Sequence, residues 1–362
     1  MRHEIGSFYE EETIQESYEN NIFKTIENLY YFSCGRDAIS ACLNSIQKEK
    51  EKIDKVCILP MYTCDSVIIP FKNKNWTIYY YDIKENLVVE QKSLEALIDK
   101  VHPSVIFMHT YYGVDTISEV RNYIWELQKK EEIIFIEDVT QSLGFINNKS
   151  TADYLLGSLR KWFPIQDGGF VKSKYNIANP QKYREDFCEI KKRAQKIKAN
   201  YLKEEIDNCK EEFLMLNNCA EQLLYADENI YLMSKFAKQS LLKLDVEKNL
   251  SIRNRNGKIL ENEIKGMHFI STVVDSKEDT SFLFFPIYVE NRKELQDYLK
   301  VRNIYAPILW PIYEELENEM SSTVEYIYNN LLAIPCDQRY DEKDMLKIIE
   351  CLKSYERLKM GE

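Results

Sequence analysis

Three short segments hold residue types whose chemistry can be combined. In Ser33-Cys34-Gly35-Arg36-Asp37-Ala38-Ile39 a glycine opens a run with helical apolar spacing. Free N–H groups at a helix start, with the positive end of its dipole, attract an anion, and glycine lets that anion approach the main chain. In Ile133-Ile134-Phe135-Ile136-Glu137-Asp138, followed by Val139-Thr140-Gln141-Ser142-Leu143-Gly144, a continuous apolar run ends in a carboxylate. A parallel strand buried on both faces has this pattern, and open α/β sheets bind ligands at its carboxyl end. In Ser158-Leu159-Arg160-Lys161-Trp162-Phe163-Pro164-Ile165-Gln166-Asp167-Gly168-Gly169-Phe170 a lysine sits among apolar side chains. Desolvation favours its neutral amine, a nucleophile toward a carbonyl, and the nearby Ser158 and Arg160 are suitable phosphate donors.

The order of these pieces adds to their meaning. A phosphate-cradling glycine, a carboxylate on a strand end and then a lysine, all on one α/β sheet, is the set that pyridoxal 5'-phosphate (PLP) requires. That cofactor needs an anion site, a carboxylate to keep its ring nitrogen protonated, and a lysine to hold its aldehyde as a Schiff base. Other chemistries find less support. Ser158 and Lys161 match the S-x-x-K of penicillin-binding serine enzymes, but the accompanying S-D-N and K-T-G strings do not occur. The four histidines, His3, His102, His109 and His268, have no metal-ligand spacing. No G-x-G-x-x-G or P-loop string occurs.

Elements that could position these residues follow from periodicity. Short apolar runs at 56–60, 76–83, 104–110, 133–138 and 168–173 alternate with amphipathic stretches at 37–50, 92–101 and 119–130. Strands separated by helices predict β-α-β units and a mainly parallel sheet, hence an α/β fold. Between Gly169 and Gly257 lie 87 residues without glycine; this stretch predicts long helices, a charge-rich one over 182–210 and an amphipathic part over 211–244. Beyond about residue 249 the pattern is mixed: a strand over 282–289, a helix over 292–301 and a last helix over 341–358. The expected organisation is an N-terminal arm (1–25), a large PLP-binding domain (26–248) and a smaller α+β domain (249–362).

These segments resemble the DegT/StrS-type sugar aminotransferases, a PLP-dependent family with the aspartate aminotransferase-like fold type I, and the resemblance covers most of the chain. Cys34-Gly35-Arg36-Asp37-Ala38-Ile39 is similar to the family's S-G-T-x-A-L, Leu59-Pro60-Met61-Tyr62-Thr63 to its P-x-y-T, and His109-Thr110-Tyr111-Tyr112-Gly113 to its h-x-y-G. Glu137 to Ser142 resembles E-D-x-x-Q-x, Lys161 to Gly169 resembles K-x-x-x-x-x-E/D-G-G, and Leu331 to Cys336 resembles its apolar lead into a final helix. The resemblance implies that Lys161 forms the Schiff base and shuttles a proton, and that Asp138 pairs with the pyridine nitrogen. It places Gln141 near the ring hydroxyl and gives the phosphate to Gly35, Arg36 and Ser158. It also implies a homodimer and two-step amino transfer from an amino acid, typically glutamate, to a keto-sugar nucleotide. Arg36 replaces a family threonine, Cys64 replaces the aromatic residue that covers the ring, and Leu156 stands where the family has its phosphate serine. A PLP-fold binding protein without turnover is the alternative reading; a sugar dehydratase of the same family would carry histidine at Lys161. Arg160 and Arg339 are candidates for a substrate's anionic groups.

Composition bounds the rest. With 48 basic and 59 acidic side chains in 362 residues, the net charge is -11; no basic excess exists to displace counterions from nucleic acid. Nine scattered cysteines without a C-x-x-C pair fit free thiols in a reducing cytoplasm. No apolar run is long enough for a signal peptide or a membrane span, so a cytoplasmic protein is expected.

Overall fold

The computed structural model describes residues 3–12, 18, 21–130, 132–147, 150–203, 209–277, 280–317 and 319–361. The chain divides into two compact units: Met1–Glu4, Phe8–Lys52 and Tyr154–Glu247 form one, and Ile5–Ser7, Ile53–Asp153 and Lys248–Glu362 form the other.

In the first unit Gly169–Ser173 is the central of three antiparallel strands, between Leu29–Phe32 and Tyr154–Ser158. Phe32 and Ser158 both pair with Gly169. A β-carbon at Gly169 would lie 2.3 Å from the Cys34 carbonyl oxygen, so only glycine lets the strand pass this close to the start of the next helix. That helix, Gly35–Glu49, buries Ala38, Ile39, Cys42, Leu43 and Ile46, the stripe that helical spacing puts on one face. The glycine-free stretch supplies three helices: Glu185–Leu202, Cys209–Leu223 and Lys235–Leu241. The first two pack on each other, and Phe187, Ala220 and Leu224 bury a small core with Cys34. Ser234 caps the third through Ala237 N–H.

The second unit holds the parallel ladder. Ile134–Asp138 pairs with Val105–His109, which pairs with Val56–Pro60, which pairs with Thr77–Tyr81, all parallel. The helices Asp65–Asn73, Gln91–Val101 and Arg121–Lys129 connect or follow these strands. The inner strands Val105–His109 and Ile134–Asp138 are buried at every residue, whereas Thr77–Tyr81 alternates exposed and half-buried positions and buries only Tyr81. Toward the C-terminus, Phe285–Val289 lies between Leu331–Ile334 and Ile270–Thr272 in an antiparallel sheet. Helix Glu342–Met360 starts with a capping box between Asp341 and Asp344.

Every pairing in the four-stranded ladder from Thr77–Tyr81 to Ile134–Asp138 is parallel, and helices connect or follow its strands, so the structure has the expected α/β class. Strands outside the expected set include Leu29–Phe32 and Tyr154–Ser158 in the first unit and Ile270–Thr272 and Leu331–Ile334 in the second. Tyr154–Ser158 ends in Gly-Ser, which reads as a turn, and Leu29–Phe32 is only partly buried. Among the described residues, no helix is long and apolar enough to cross a membrane, and no group of three or more metal-ligating side chains occurs.

Candidate active site

Register brings two chemically distinct strand ends together in the second unit. Asp138 closes Ile134–Asp138 and pairs in register with His109, which closes Val105–His109. The His109 Nδ1 lies 3.3 Å from Asp138 Oδ2, and its Nε2 lies 2.7 Å from the Thr63 hydroxyl. Thr140 N–H donates to Asp138 Oδ1 at 2.7 Å. Burial alone would push this carboxyl up. Hydrogen bonding and charge from His109, with the Thr140 donors, overcome it and hold Asp138 below the usual carboxylate range. Asp138 is 4% exposed, so the structure keeps a negative charge almost out of water at the carboxyl edge of the sheet. Its neighbour Glu137 is instead fixed by Arg121 at 2.7 Å and by Ser150.

An aromatic wall surrounds His109. The Trp310 ring stacks on it, with centroids 5.7 Å apart and planes at 30°, and Tyr111 lies 5.4 Å away. Tyr62 packs against Tyr111, Trp310 and Tyr328, and the Tyr328 hydroxyl accepts from Thr63 N–H. Gln141 is buried, and its Oε1 accepts from the Tyr112 N–H at 3.1 Å. Tyr112 has φ of 48°, a left-handed conformation that a bulky residue adopts only when its surroundings enforce it. Cys64 carries no aromatic role; its thiol donates to Asp65 and accepts from Ser66 at the start of Asp65–Asn73.

The first unit holds Gly35, Arg36, Ser158 and Lys161. A β-carbon on Gly35 would meet Ser158 Cβ at 3.5 Å, so the serine stands beside the start of Gly35–Glu49 with that helix's free N–H groups. Arg36 offers its main chain there. Its guanidinium donates to the Leu224 carbonyl and stacks on Tyr225, 3.7 Å from the ring centroid. Lys161 ends a short 3₁₀ turn, Leu159–Lys161; it is half-buried and makes no hydrogen bond or ion pair among the described residues.

The two arginines proposed for substrate are engaged by carboxylates. Arg160 forms a two-point ion pair with Glu221 at 2.7 and 2.9 Å. Arg339 does the same with Asp337 at 2.8 and 2.9 Å and also donates to the Ser7 carbonyl, tying down the N-terminal strand Ile5–Gly6. His109, Thr63, Trp310, Glu221 and Asp37 are contributors that sequence reading passed over. For His109 the available signal was its place at the end of a continuous apolar run, like Asp138. Asp37, in the first turn of Gly35–Glu49, accepts from the Ser33 hydroxyl at 2.7 Å and Tyr231 N–H at 3.1 Å, which ties Ser33 into that turn.

No family model and no curated protein matches the sequence. Solved structures do match. PseC of Helicobacter pylori, an aminotransferase involved in the biosynthesis of pseudoaminic acid, is 16% identical over 97% of this chain and 99% of its own, with a TM-score of 0.67. A DegT DnrJ EryC1 StrS aminotransferase from Brucella abortus is 15% identical over 94% of this chain and 92% of its own, with a TM-score of 0.64. The chain has the fold of these aminotransferases. NtdA of Bacillus subtilis, solved with PMP bound, matches at a TM-score of 0.65 and 15% identity over 91% of this chain and 73% of its own. This fold is type I, as the sequence resemblance implies.

Proposed function

We propose that the chain is a PLP-dependent aminotransferase of the DegT/StrS type. It moves an amino group from an amino acid, glutamate by resemblance, to a keto-sugar nucleotide or similar carbonyl. The observation that carries this reading is Asp138: a buried carboxylate kept ionised by His109 and Thr140, as a protonated pyridine nitrogen requires. The fold shared with sugar aminotransferases supports it. When bound, PLP supplies an electron sink for charge developing at the substrate's α-carbon.

The resemblance assigns that cofactor's contacts to residues whose own chemistry suits them. The main-chain N–H groups of Gly35 and Arg36 and the Ser158 hydroxyl would hold its phosphate. Lys161, without a competing partner, would hold its aldehyde carbon and afterwards carry the proton that leaves the substrate. Asp138 would face the ring nitrogen and Gln141 the ring hydroxyl. A homodimer working in the cytoplasm, in surface-polysaccharide or secondary-metabolite sugar biosynthesis, completes the proposal. A screen tests it: protein loaded with PLP should lose its absorbance at about 410–430 nm on adding the correct amino acid, and a keto-sugar nucleotide should restore it. Loading without any response to amino acids would instead support a binding protein without turnover.

A further inference from the structure

In the Leu159–Lys161 turn, Leu159 and Arg160 are held by main-chain hydrogen bonds, and Arg160 also by its side chain. Leu159 N–H and Arg160 N–H both donate to the Gly168 carbonyl, at 2.9 and 3.3 Å. Trp162 N–H donates back to Leu159, and the Tyr9 hydroxyl donates to the Trp162 carbonyl at 2.8 Å. Arg160 reaches the other way, with both terminal nitrogens on the Glu221 carboxylate. A planar fork on a carboxylate fixes direction as well as distance, so Cys209–Leu223 sets the angle at which Arg160, and therefore the next residue, leaves the turn. Behind this pair lies Lys191, almost wholly buried, with its amine 3.6 Å from Glu221 and donating to Asn217 at 2.6 Å.

We propose that Glu221 is a positioning residue for Lys161, acting through Arg160. The inference rests on Lys161 being the Schiff-base lysine. Burial lowers Lys191 to about 8, so it is the weaker cation of the cluster and Arg160 is the constant one. The Glu221 carboxylate, against its own burial, is held down at about 2 by Arg160 and Lys191 and stays ionised across the working range.

The test uses the full chain freed of cofactor, mixed with PLP and quenched with borohydride. Mass spectrometry reads the rate of capture at Lys161, and visible circular dichroism reads the geometry of the bound cofactor. Glu221→Gln should slow capture by about tenfold or more, since misplacement by about 1 Å costs that much, and should weaken the dichroism per bound cofactor. Arg160→Met with Glu221→Leu removes the ion pair, while Lys191, already lowered to about 8 and still donating to Asn217, sheds its proton, so much of the thermal stability returns. The double variant's capture rate should stay low. Wild-type rates in Glu221→Gln, or recovery of rate together with stability in the double variant, overturn the proposal. Absence of any Lys161 adduct in the wild type would overturn the reading on which it rests.

Discussion

Replacing His109 by phenylalanine tests how Asp138 keeps its charge. The substitution preserves a flat apolar body against Trp310 but removes the Nδ1 contact at 3.3 Å and leaves Asp138 only the Thr140 donors. A hydrogen bond to a charged group contributes about 1.5–3 kcal/mol, and one pKa unit corresponds to about 1.4 kcal/mol. The Asp138 carboxyl should therefore rise, because burial, which already pushes it up, is then less opposed. The sign for stability follows. A carboxyl lowered in the folded state stabilises above its unfolded value near 3.8 and loses that contribution as pH falls through its folded value. In His109→Phe the gap between the folded and unfolded values narrows, so thermal unfolding followed from pH 7 to 3 should show a lower midpoint at neutral pH and a smaller acid-induced loss below about pH 4 than in the wild type. Superimposable decline in the two proteins would refute the claim that His109 holds the charge.

Other consequences are as direct. Gly169→Ala forces a β-carbon to within 2.3 Å of Cys34 O and 2.9 Å of Gly35 N; it should destabilise by about 2 kcal/mol or more and weaken PLP binding, read by calorimetry and by cofactor titration. Arg339→Ala leaves Asp337 buried without its cation; unfolding should lose about 3–5 kcal/mol while Lys161 capture of PLP in the folded protein stays near wild type. Lys191, lowered by burial from 10.5 to about 8, binds its proton more weakly in the folded state. Wild-type stability should then rise between pH 8 and 10.5 relative to Lys191→Met, by about 1–3 kcal/mol in all, as paired denaturant titrations would show.

Much of this layout can be read from sequence because burial on both faces leaves a plain mark. Val56–Pro60, Val105–His109 and Ile134–Asp138 are nearly continuous apolar runs, and their boundaries follow. Tyr154–Ser158 is equally buried but closes in Gly-Ser, and short antiparallel strands of that kind do not separate from loops by composition. The side-chain partners are less legible still. His109 and Asp138 are 29 residues apart and meet only through parallel register. Arg36 is 188 residues from Leu224 and Arg160 is 61 from Glu221, so charge type alone left both guanidiniums open for anions that the structure instead replaces with carbonyl and carboxylate oxygens. Local chemistry marks the candidate nucleophile, whereas what holds it in place depends on helices packed from far along the chain.

The central claim, a Schiff-base lysine at residue 161, is met most directly by borohydride reduction of PLP-loaded protein followed by peptide mapping. The account predicts one cofactor-sized mass addition, on the peptide carrying Lys161, and its loss in a folded Lys161→Ala variant. An adduct that persists in that variant, or that maps to another lysine in the wild type, would contradict it.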